Sequence, residues 1–248
     1  MNPKPMSLPL PEPAAVPRPL PVGASLAGAP EGKRLAFVIA TMVFGIADDV
    51  IACFLPPDKG WLVASILTAV LVLAILGFTA HYRDQFFARL FVFGLFAGFA
   101  ELPADYYSVS VLKILVYPEQ GPFILSSPLY MPFSYIVVMV QLGYLSYWLT
   151  GRWGLVWATV AITLLGGLNV PLYEFLARRA GFWHYQDCYL LFGAVPPMVI
   201  VTEAAFSLVL PLVVSWLPRV SWLWVAALGV LEGVWMLVVF YLGFRLTT

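Results

Sequence analysis

Charged residues are scarce in this sequence. Asp, Glu, Lys and Arg make up 10% of its 248 residues, whereas 62% are hydrophobic, and the net charge is zero. Roughly a quarter of the residues in a soluble domain are charged, and a soluble chain of this size cannot bury so much apolar surface. The composition therefore predicts an integral membrane protein, and its neutral balance gives no sign of a nucleic-acid partner.

Cysteine and histidine are rare as well. The chain contains Cys53, Cys188, His81 and His184 as its only residues of these types. Two cysteines exclude a disulfide framework or a cysteine-based metal site, and two histidines are too few for the di-iron or zinc sites of membrane enzymes. We therefore expect no metal and no cofactor. Both cysteines are predicted near the same side of the membrane, so a disulfide and two buried free thiols both stay open.

Other absences exclude further chemistries. The lysines are Lys4, Lys33, Lys59 and Lys113, so the last apolar segment lacks the lysine that a retinal Schiff base requires. The pair Asp48-Asp49 lacks the third acid of a magnesium-diphosphate motif. No serine lies in the strand–turn–helix motif that a hydrolase nucleophile occupies.

Proline is concentrated at the amino terminus, where nine of the 21 prolines lie between Pro3 and Pro30. Proline removes a backbone donor and blocks helix formation, so residues 1–32 are predicted to be a disordered or polyproline II tail. The tail has no continuous apolar stretch of the kind that a secretory signal needs. A docking arm for an unidentified partner and a passive tail both stay open.

Long apolar runs fill the remaining residues, 33–248. A membrane-spanning helix needs about 20 mostly apolar residues, and turn residues such as Pro56-Pro57 and Gly151-Arg152 separate the runs. The sequence therefore predicts an all-α integral membrane domain of about seven transmembrane helices. The predicted helices are 35–55, 61–80, 86–107, 129–149, 154–177, 190–216 and 221–244.

Basic residues give a weak indication of orientation. With the tail inside, the loops on the tail's side hold six Lys and Arg residues, and the loops on the other side hold five. Because basic loops tend to stay in the cytoplasm, we expect a multi-pass protein of a bacterial inner membrane with a cytoplasmic amino terminus.

Several acidic residues fall inside the predicted helices, where an ionisable group is expensive and normally faces the bundle interior. Odd-numbered helices run in the same direction, so their late segments share one side of the membrane. Adjacent helical residues are about 100° apart, so only one of Asp48 and Asp49 is expected to face inward. The acids late in odd-numbered helices are Asp48, Asp49, Glu101, Asp105 and Glu174, while Glu203 and Glu232 lie near the middle of the sixth and seventh helices.

The convergence of these acids is the strongest functional indication in the sequence. Glu101 and Asp105 are four residues apart, which places both carboxyl groups on one helix face. Pro103 between them is expected to bend the helix and free a carbonyl beside a cavity. The pair Pro196-Pro197, ahead of Glu203, indicates a second bent helix. We therefore expect the acids to line one cavity near a single side of the membrane.

Buried carboxyl groups can perform acid–base chemistry on an apolar molecule. A low dielectric disfavours the ionised form of a carboxyl group, so one acid could protonate an alkene or an epoxide while a second carboxylate removes a proton. Aromatic residues, 16% of the chain, would offer their ring faces to the carbocation formed between these steps. The substrate would enter from the lipid.

One segment resembles the membrane lycopene cyclases and carotenoid hydratases. It consists of Tyr173-Glu174, the loop Gly181-Phe182-Trp183-His184-Tyr185, the turn Gly193-Ala194-Val195-Pro196-Pro197, and Glu203. In those families a helix-ending Glu precedes a Gly-x-Trp-x-Tyr type of loop and a proline-led helix that bears acids. The membrane cyclases of meroterpenoids and indole diterpenes are similar in size, in helix number and in their paired acids. The resemblance implies a carotenoid or terpenoid substrate and a cofactor-free cyclisation, hydration or isomerisation.

The predicted function is therefore an integral membrane enzyme of isoprenoid or related lipid metabolism, with Glu101 or Asp105 as the proton donor. Its expected partners are an apolar lipid substrate and the lipids of the membrane. The expected catalytic residues are Glu101, Asp105, Glu174 and Glu203, and the expected substrate-binding residues are Asp48, Asn169, Trp183, His184 and Tyr185.

Two other classes of protein fit the same residues. The acids could form the relay of a proton-coupled transporter, although the internal repeat of many secondary transporters is not visible. A non-catalytic membrane subunit or assembly factor would bind a larger complex through the tail and the aromatic surface. Individual acids could also be interfacial residues, or partners of Arg178, Arg179 or Lys113. For Glu232 a hydrogen-bonded structural role is equally open.

Overall fold

The computed structural model describes residues 27–118 and 120–247, and most of the predicted tail lies outside them. Six helices dominate this part of the chain, and all six are long and apolar enough to cross a membrane. The all-α membrane bundle predicted from the sequence is therefore confirmed. The helices are α1 (Glu31–Ala52), α2 (Gly60–Tyr82), α3 (Gln85–Tyr106), α4 (Tyr130–Ala180), α5 (Pro197–Trp216) and α6 (Trp222–Thr247).

Helix α4 is too long to be a single membrane crossing. Its 51 residues would extend about 75 Å as one straight helix, more than twice the roughly 30 Å of a hydrocarbon core. The helical backbone is interrupted at Gly154, where φ is 77° and ψ is 166°, a conformation essentially confined to glycine. Tyr130 at the start of α4 shares a buried cluster with Ala180 at its end, so the chain reverses direction at Gly154. The two arms of α4, residues 130–153 and 155–180, bring the number of crossings to seven.

Helix α3 packs closely against the first arm of α4 and against α6. A Cβ atom at Gly98 would lie 2.1 Å from the carbonyl oxygen of Pro132, and one at Gly229 would lie 2.4 Å from that of Phe93. Because glycine has no Cβ atom, the helix backbones can come close together at these two positions, where packing and polar contacts hold them. The contacts therefore fix the depth at which α3 carries its two acids.

The bundle has two different ends, because its crossings alternate in direction. We call the end at which α1, α3 and α6 begin the tail end. There Asp84 accepts hydrogen bonds of 3.1 Å from two backbone N–H groups of α3 and forms a buried ion pair of 2.6 Å with Arg34 of α1. An exposed ion pair of 2.8 Å joins Arg152 to Glu31. These contacts hold the starts of α1 and α3 together.

The opposite end of the bundle is covered by a cap, which we define as the described residues within 112–129 and 181–196. Helix α3 continues toward it as a π-helical turn, Tyr107–Val111. Pairing of β1 with β4 joins the loop after α3 to the loop after α4, so that both loops lie across the helix ends. The antiparallel pairs are β1 (Leu115–Val116) with β4 (His184–Tyr185), and β2 (Phe123–Ile124) with β3 (Ser127–Pro128).

Helix α5 begins at Pro197, later than the start of the predicted helix 190–216. Residues 191–195 instead form a tight turn with a positive φ at Phe192. Proline suits the first position of a helix because its missing N–H is not needed there. The pair Pro196-Pro197 therefore starts this helix and does not bend it, which corrects the expectation from the sequence.

Candidate functional site

Asp105, near the end of α3, is 4% exposed and accepts a hydrogen bond on each of its carboxyl oxygens. The Tyr117 hydroxyl donates to Oδ1 at 3.0 Å, and the Ser127 hydroxyl donates to Oδ2. Both donors belong to the cap, where Tyr117 follows β1 and Ser127 begins β3. Pro103 and the π-helical turn flank Asp105 in the chain, and π-helical turns are frequent at functional sites.

Glu174, near the end of the second arm of α4, is held in the same way. The Trp183 indole donates to Oε2 at 2.7 Å, and the Tyr185 hydroxyl donates to Oε1 at 3.3 Å. Glu174 is 6% exposed, so both bonds are shielded from water. The reversal at Gly181, where φ is 71°, turns the chain back over the helix end and brings the two donors to the carboxyl group.

Glu101 and Glu203 differ from these two acids in their hydrogen bonding and in their exposure. Glu101 is 7% exposed, and its Oε2 has no hydrogen-bond partner among the described residues. The Tyr135 side chain lies beside it, and Asp105 and Glu203 are close enough to interact with it electrostatically. Glu203 of α5 is only half-buried and also interacts with Glu174.

The structure thus brings together the four acids that the sequence marks as candidates for catalysis. They come from three crossings: Glu101 and Asp105 from α3, Glu174 from the second arm of α4, and Glu203 from α5. Glu203 interacts with both Glu101 and Glu174, so it joins the two sides of the cluster. We call these four residues the acid cluster.

Two tyrosines of the cap remain hydrogen-bond donors over a wide range of pH. Burial raises the pKa of the Tyr117 hydroxyl well above its ordinary value, and the nearby Asp105 raises it further. Burial raises the pKa of the Tyr185 hydroxyl in the same way, with Glu174 as the largest charged contributor. Both phenols therefore keep the proton that they donate to the acids.

Four residues of the site were not predicted from the sequence: Tyr117, Ser127, Tyr135 and Tyr173. Tyr117 and Ser127 lie in irregular loops, where no periodicity relates them to Asp105. Tyr135 and Tyr173 lie in apolar helices. Tyr135 interacts electrostatically with Glu101 and Glu203, and Tyr173 interacts with Asp49 and Glu203. Aromatic residues are common in membrane helices, so the sequence offers no signal for Tyr135, and Tyr173 is marked only as the neighbour of Glu174 in the segment that carries the resemblance.

Asn169 and His184, two of the expected substrate-binding residues, do not face Glu174, and their role in binding stays a prediction. Asn169 is exposed on the second arm of α4, because five helical residues turn it about 140° away from Glu174. His184 is exposed as well. Side chains alternate along a strand, so β4 directs Tyr185 toward Glu174 and turns His184 away.

Of the adjacent acids in α1, Asp49 is the one that faces the bundle. Asp49 is buried, whereas Asp48 is half-buried, and Asp49 interacts electrostatically with Tyr173 on the second arm of α4. The expected inward-facing acid of this pair is therefore Asp49, and substrate binding by Asp48 stays a prediction. The expected Trp183 and Tyr185 do lie in the site, as the donors to Glu174.

The remaining candidates lie apart from the acid cluster. Glu232 is buried among apolar residues of α6, and its Oε1 has no partner among the described residues. Cys53 and Cys188 are both free thiols. Within residues 27–118 and 120–247, no three His, Cys, Asp or Glu side chains are arranged so that they could hold a metal ion.

A family model described as a domain of unknown function, DUF6989, matches residues 102–247, which is more than half of the chain. The match includes three members of the acid cluster, Asp105, Glu174 and Glu203, and begins one residue after Glu101. No curated protein and no solved structure matches the chain.

Proposed function

The chain belongs to the DUF6989 family of domains of unknown function, and we propose from its site that it is a membrane-embedded enzyme. The proposed reaction is acid–base chemistry on an apolar isoprenoid lipid. One observation carries the proposal: four carboxyl groups from three membrane crossings meet at the cap end of the bundle. Ionisable groups inside a membrane domain usually mark a functional site.

The hydrogen bonds divide the acids by role. Asp105 and Glu174 each accept bonds on both oxygens, which suits a carboxylate that takes up a proton from a substrate. Oε2 of Glu101 has no partner among the described residues, so it is free to carry a proton and point it at a substrate. Glu101 is therefore the proposed proton donor.

The proposed reaction transfers one proton in and one proton out. The O–H bond of Glu101 breaks as a C–H bond forms at an alkene carbon, or an O–H bond at an epoxide oxygen, which leaves a carbocation. An adjacent C–H bond of the substrate then breaks, and Asp105, one helical turn along α3, accepts that proton. The substrate is rearranged without oxidation, so no electron donor or acceptor is required.

Aromatic rings border the cluster and would stabilise the cation. The Trp183 ring lies 5.6 Å from the Tyr173 ring and 6.1 Å from the Tyr117 ring, measured between centroids. A ring face attracts a cation by about 0.5–2 kcal/mol, and more strongly away from water. The three rings lie on the side of the cluster formed by Glu174 and the cap.

The site can be reached from the bilayer. Glu203 is half-buried and the Tyr173 side chain is 39% exposed, and the exposed residues around them on the same helices are apolar, including Leu168, Leu172 and Val201. Such a surface faces lipid tails, so an apolar substrate can enter without crossing water. The isoprenoid class of that substrate rests on the sequence resemblance around Glu174.

A proton-coupled carrier is the second candidate. The electrostatic contacts from Asp105 through Glu101 and Glu203 to Glu174 form a continuous series across three crossings, as a proton relay requires. Uptake of a substrate by liposomes that depends on a proton gradient would favour this candidate.

Orientation in the membrane is part of the proposal. Basic residues favour a cytoplasmic tail end, which would place the acid cluster near the outer face of a bacterial inner membrane. Labelling of Asp187→Cys, at an exposed cap residue, by an impermeant reagent in intact cells would test it, with Cys53→Ala and Cys188→Ala removing the two native thiols. Labelling only after the cells are opened would show the opposite orientation, with the cap on the cytoplasmic side.

The enzyme is tested by its products in cells that make isoprenoids. Lipid extracts from cells expressing the wild type, Glu101→Gln, Asp105→Asn and the control Asp187→Asn would be compared by mass spectrometry. We expect a new isomer of a cellular isoprenoid from the wild type and the control. The two acid variants should lower its yield by about a hundredfold or more. Equal yields from all four proteins would contradict the proposed function.

A further inference from the structure

The acid cluster is shielded from water on two sides. The cap covers Asp105 and Glu174, which are 4% and 6% exposed. The partly exposed side of the cluster, at Glu203 and Tyr173, is surrounded by apolar residues that face lipid. A proton lost to or taken from water therefore has to pass through polar groups of the protein, because hydrocarbon does not conduct it.

Asp49 and Tyr173 are polar groups that lie between the cluster and the end of α1. Tyr173 interacts electrostatically with Asp49 and also with Glu174 and Glu203 of the cluster. Asp49 is buried and lies one helical turn before the end of α1 at Ala52. Beyond that turn the chain is exposed, with an ion pair of 3.2 Å between Asp58 and Lys59 at the surface.

The helix contacts support the same placement independently. The Cys53 thiol donates a hydrogen bond of 3.5 Å to the carbonyl oxygen of Leu176. Cys53 follows Asp49 by four residues, and Leu176 follows Tyr173 by three. Because α1 and the second arm of α4 run in the same direction, this contact sets Asp49 level with Tyr173.

We infer that protons pass between water at the cap end and the acid cluster through Asp49 and Tyr173. This inference rests on the proposed acid–base function of the cluster. It gives a role to Asp49, which no step of the proposed reaction uses.

The transfer needs no charge on the tyrosine before or after it. Asp49 takes a proton from water, and its O–H bond then breaks as one forms to the Tyr173 oxygen. The original Tyr173 proton moves at the same time to the carboxylate of Glu203 or Glu174. The proton that leaves the cluster follows the same atoms in reverse, so the route neither gains nor loses electrons.

The route is tested by hydrogen–deuterium exchange of the carboxyl groups, without any substrate. Protein in lipid nanodiscs would be moved from H₂O to D₂O, and the shift of the carboxyl infrared bands would be followed in time. We expect Asp49→Asn and Tyr173→Phe to slow the exchange of the cluster bands by about a hundredfold, the lower end of what a positioned proton-transfer group contributes. The control Asp58→Asn should exchange at the wild-type rate.

Two results would overturn the inference. One is wild-type exchange in Tyr173→Phe, which keeps the ring and removes a single oxygen, so that folding is preserved even if Asp49→Asn does not fold. The other is slow exchange in Tyr117→Phe alone, which would place the route through the cap. Product formation is a separate measurement, so loss of the proton route and loss of the proposed enzyme function can be told apart.

Discussion

The indole of Trp183 donates a hydrogen bond of 2.7 Å from Nε1 to Oε2 of Glu174, across the end of the second arm of α4. Trp183 is 7% exposed and Glu174 is 6% exposed, so water does not compete for the bond. This contact fastens the cap to an acid of the cluster, and it makes the cap part of the site.

The Trp183–Glu174 bond should therefore stabilise the fold measurably. Trp183→Phe keeps an aromatic ring and removes the donor, and we expect it to lower the free energy of unfolding by about 1–2 kcal/mol. A double-mutant cycle with Glu174→Leu, which removes the acceptor, measures in detergent the coupling between the two side chains. A coupling energy near zero would show that the bond does not hold the cap.

Tyr117 and Tyr185 of the cap should lose their phenolic protons at a higher pH than ordinary tyrosines. The pKa values of Tyr117 and Tyr185 are raised above the ordinary value, chiefly by burial, so both phenols stay neutral in the folded protein when an unfolded chain would ionise them. Stability from these groups is complete below about pH 10, the ordinary tyrosine pKa, and is lost as the pH rises beyond it.

Ultraviolet absorbance of the phenolate group measures this titration. Tyr117→Phe and Tyr185→Phe should each remove one tyrosine from the late phase, which coincides with alkaline unfolding. If either substitution instead removed a tyrosine that ionises in the ordinary phase, the burial of that phenol under the cap would be contradicted.

The close contact at Gly98 should be intolerant of a side chain. A Cβ atom there would lie 2.1 Å from the carbonyl oxygen of Pro132, so Gly98→Ala must separate α3 from the first arm of α4. We expect a loss of about 1–3 kcal/mol in the free energy of unfolding and a loss of activity, because Glu101 lies one turn further along α3.

Gly77→Ala is the matched control, since nothing lies within 4 Å of a Cβ atom at Gly77 in α2. Alanine is the better helix former, so this control should leave stability unchanged or raise it by less than about 1 kcal/mol. Thermal unfolding in detergent compares the two variants. Equal midpoints would contradict the close packing of α3.

The ion pairs of the tail end should differ in their contribution. Asp84 is buried and accepts the ion pair from Arg34 together with two backbone hydrogen bonds of α3, so Asp84→Asn weakens charged hydrogen bonds away from water and should destabilise the protein by about 1.5–3 kcal/mol. The Arg152–Glu31 pair is exposed, and Glu31→Gln should change stability by less than about 1 kcal/mol. Urea or thermal unfolding in detergent tests the difference, and a reversed order would contradict the burial of Asp84.

The sequence predicts the bundle well, because the bilayer imposes a simple rule on it. Apolar length alone identifies the crossings, and the break at Gly151-Arg152 falls close to the reversal at Gly154. That Glu101 and Asp105 lie on the same face of α3 also follows from the sequence, since residues four apart share a helix face. Their meeting with Glu174 follows from the common direction of the odd-numbered crossings.

The cap could not be predicted in the same way. Tyr117 and Ser127 reach Asp105 from loops that lie 12 and 22 residues away in the chain, and irregular loops have no period to extrapolate. The choice of Tyr185 over His184 depends on the pairing of β4 with β1, two strands of two residues each. Such short strands carry no pattern of their own, so the side that each residue faces becomes known only from the fold.

In the proposed function, a carboxyl group of the acid cluster delivers a proton to an apolar lipid. The most direct measurement is to incubate the purified protein in D₂O with the isoprenoid fraction extracted from membranes, and to follow deuterium in the lipids by mass spectrometry. We predict a product that carries deuterium on carbon from the wild type but not from Glu101→Gln. The same deuterium content in lipids treated with either protein would contradict it.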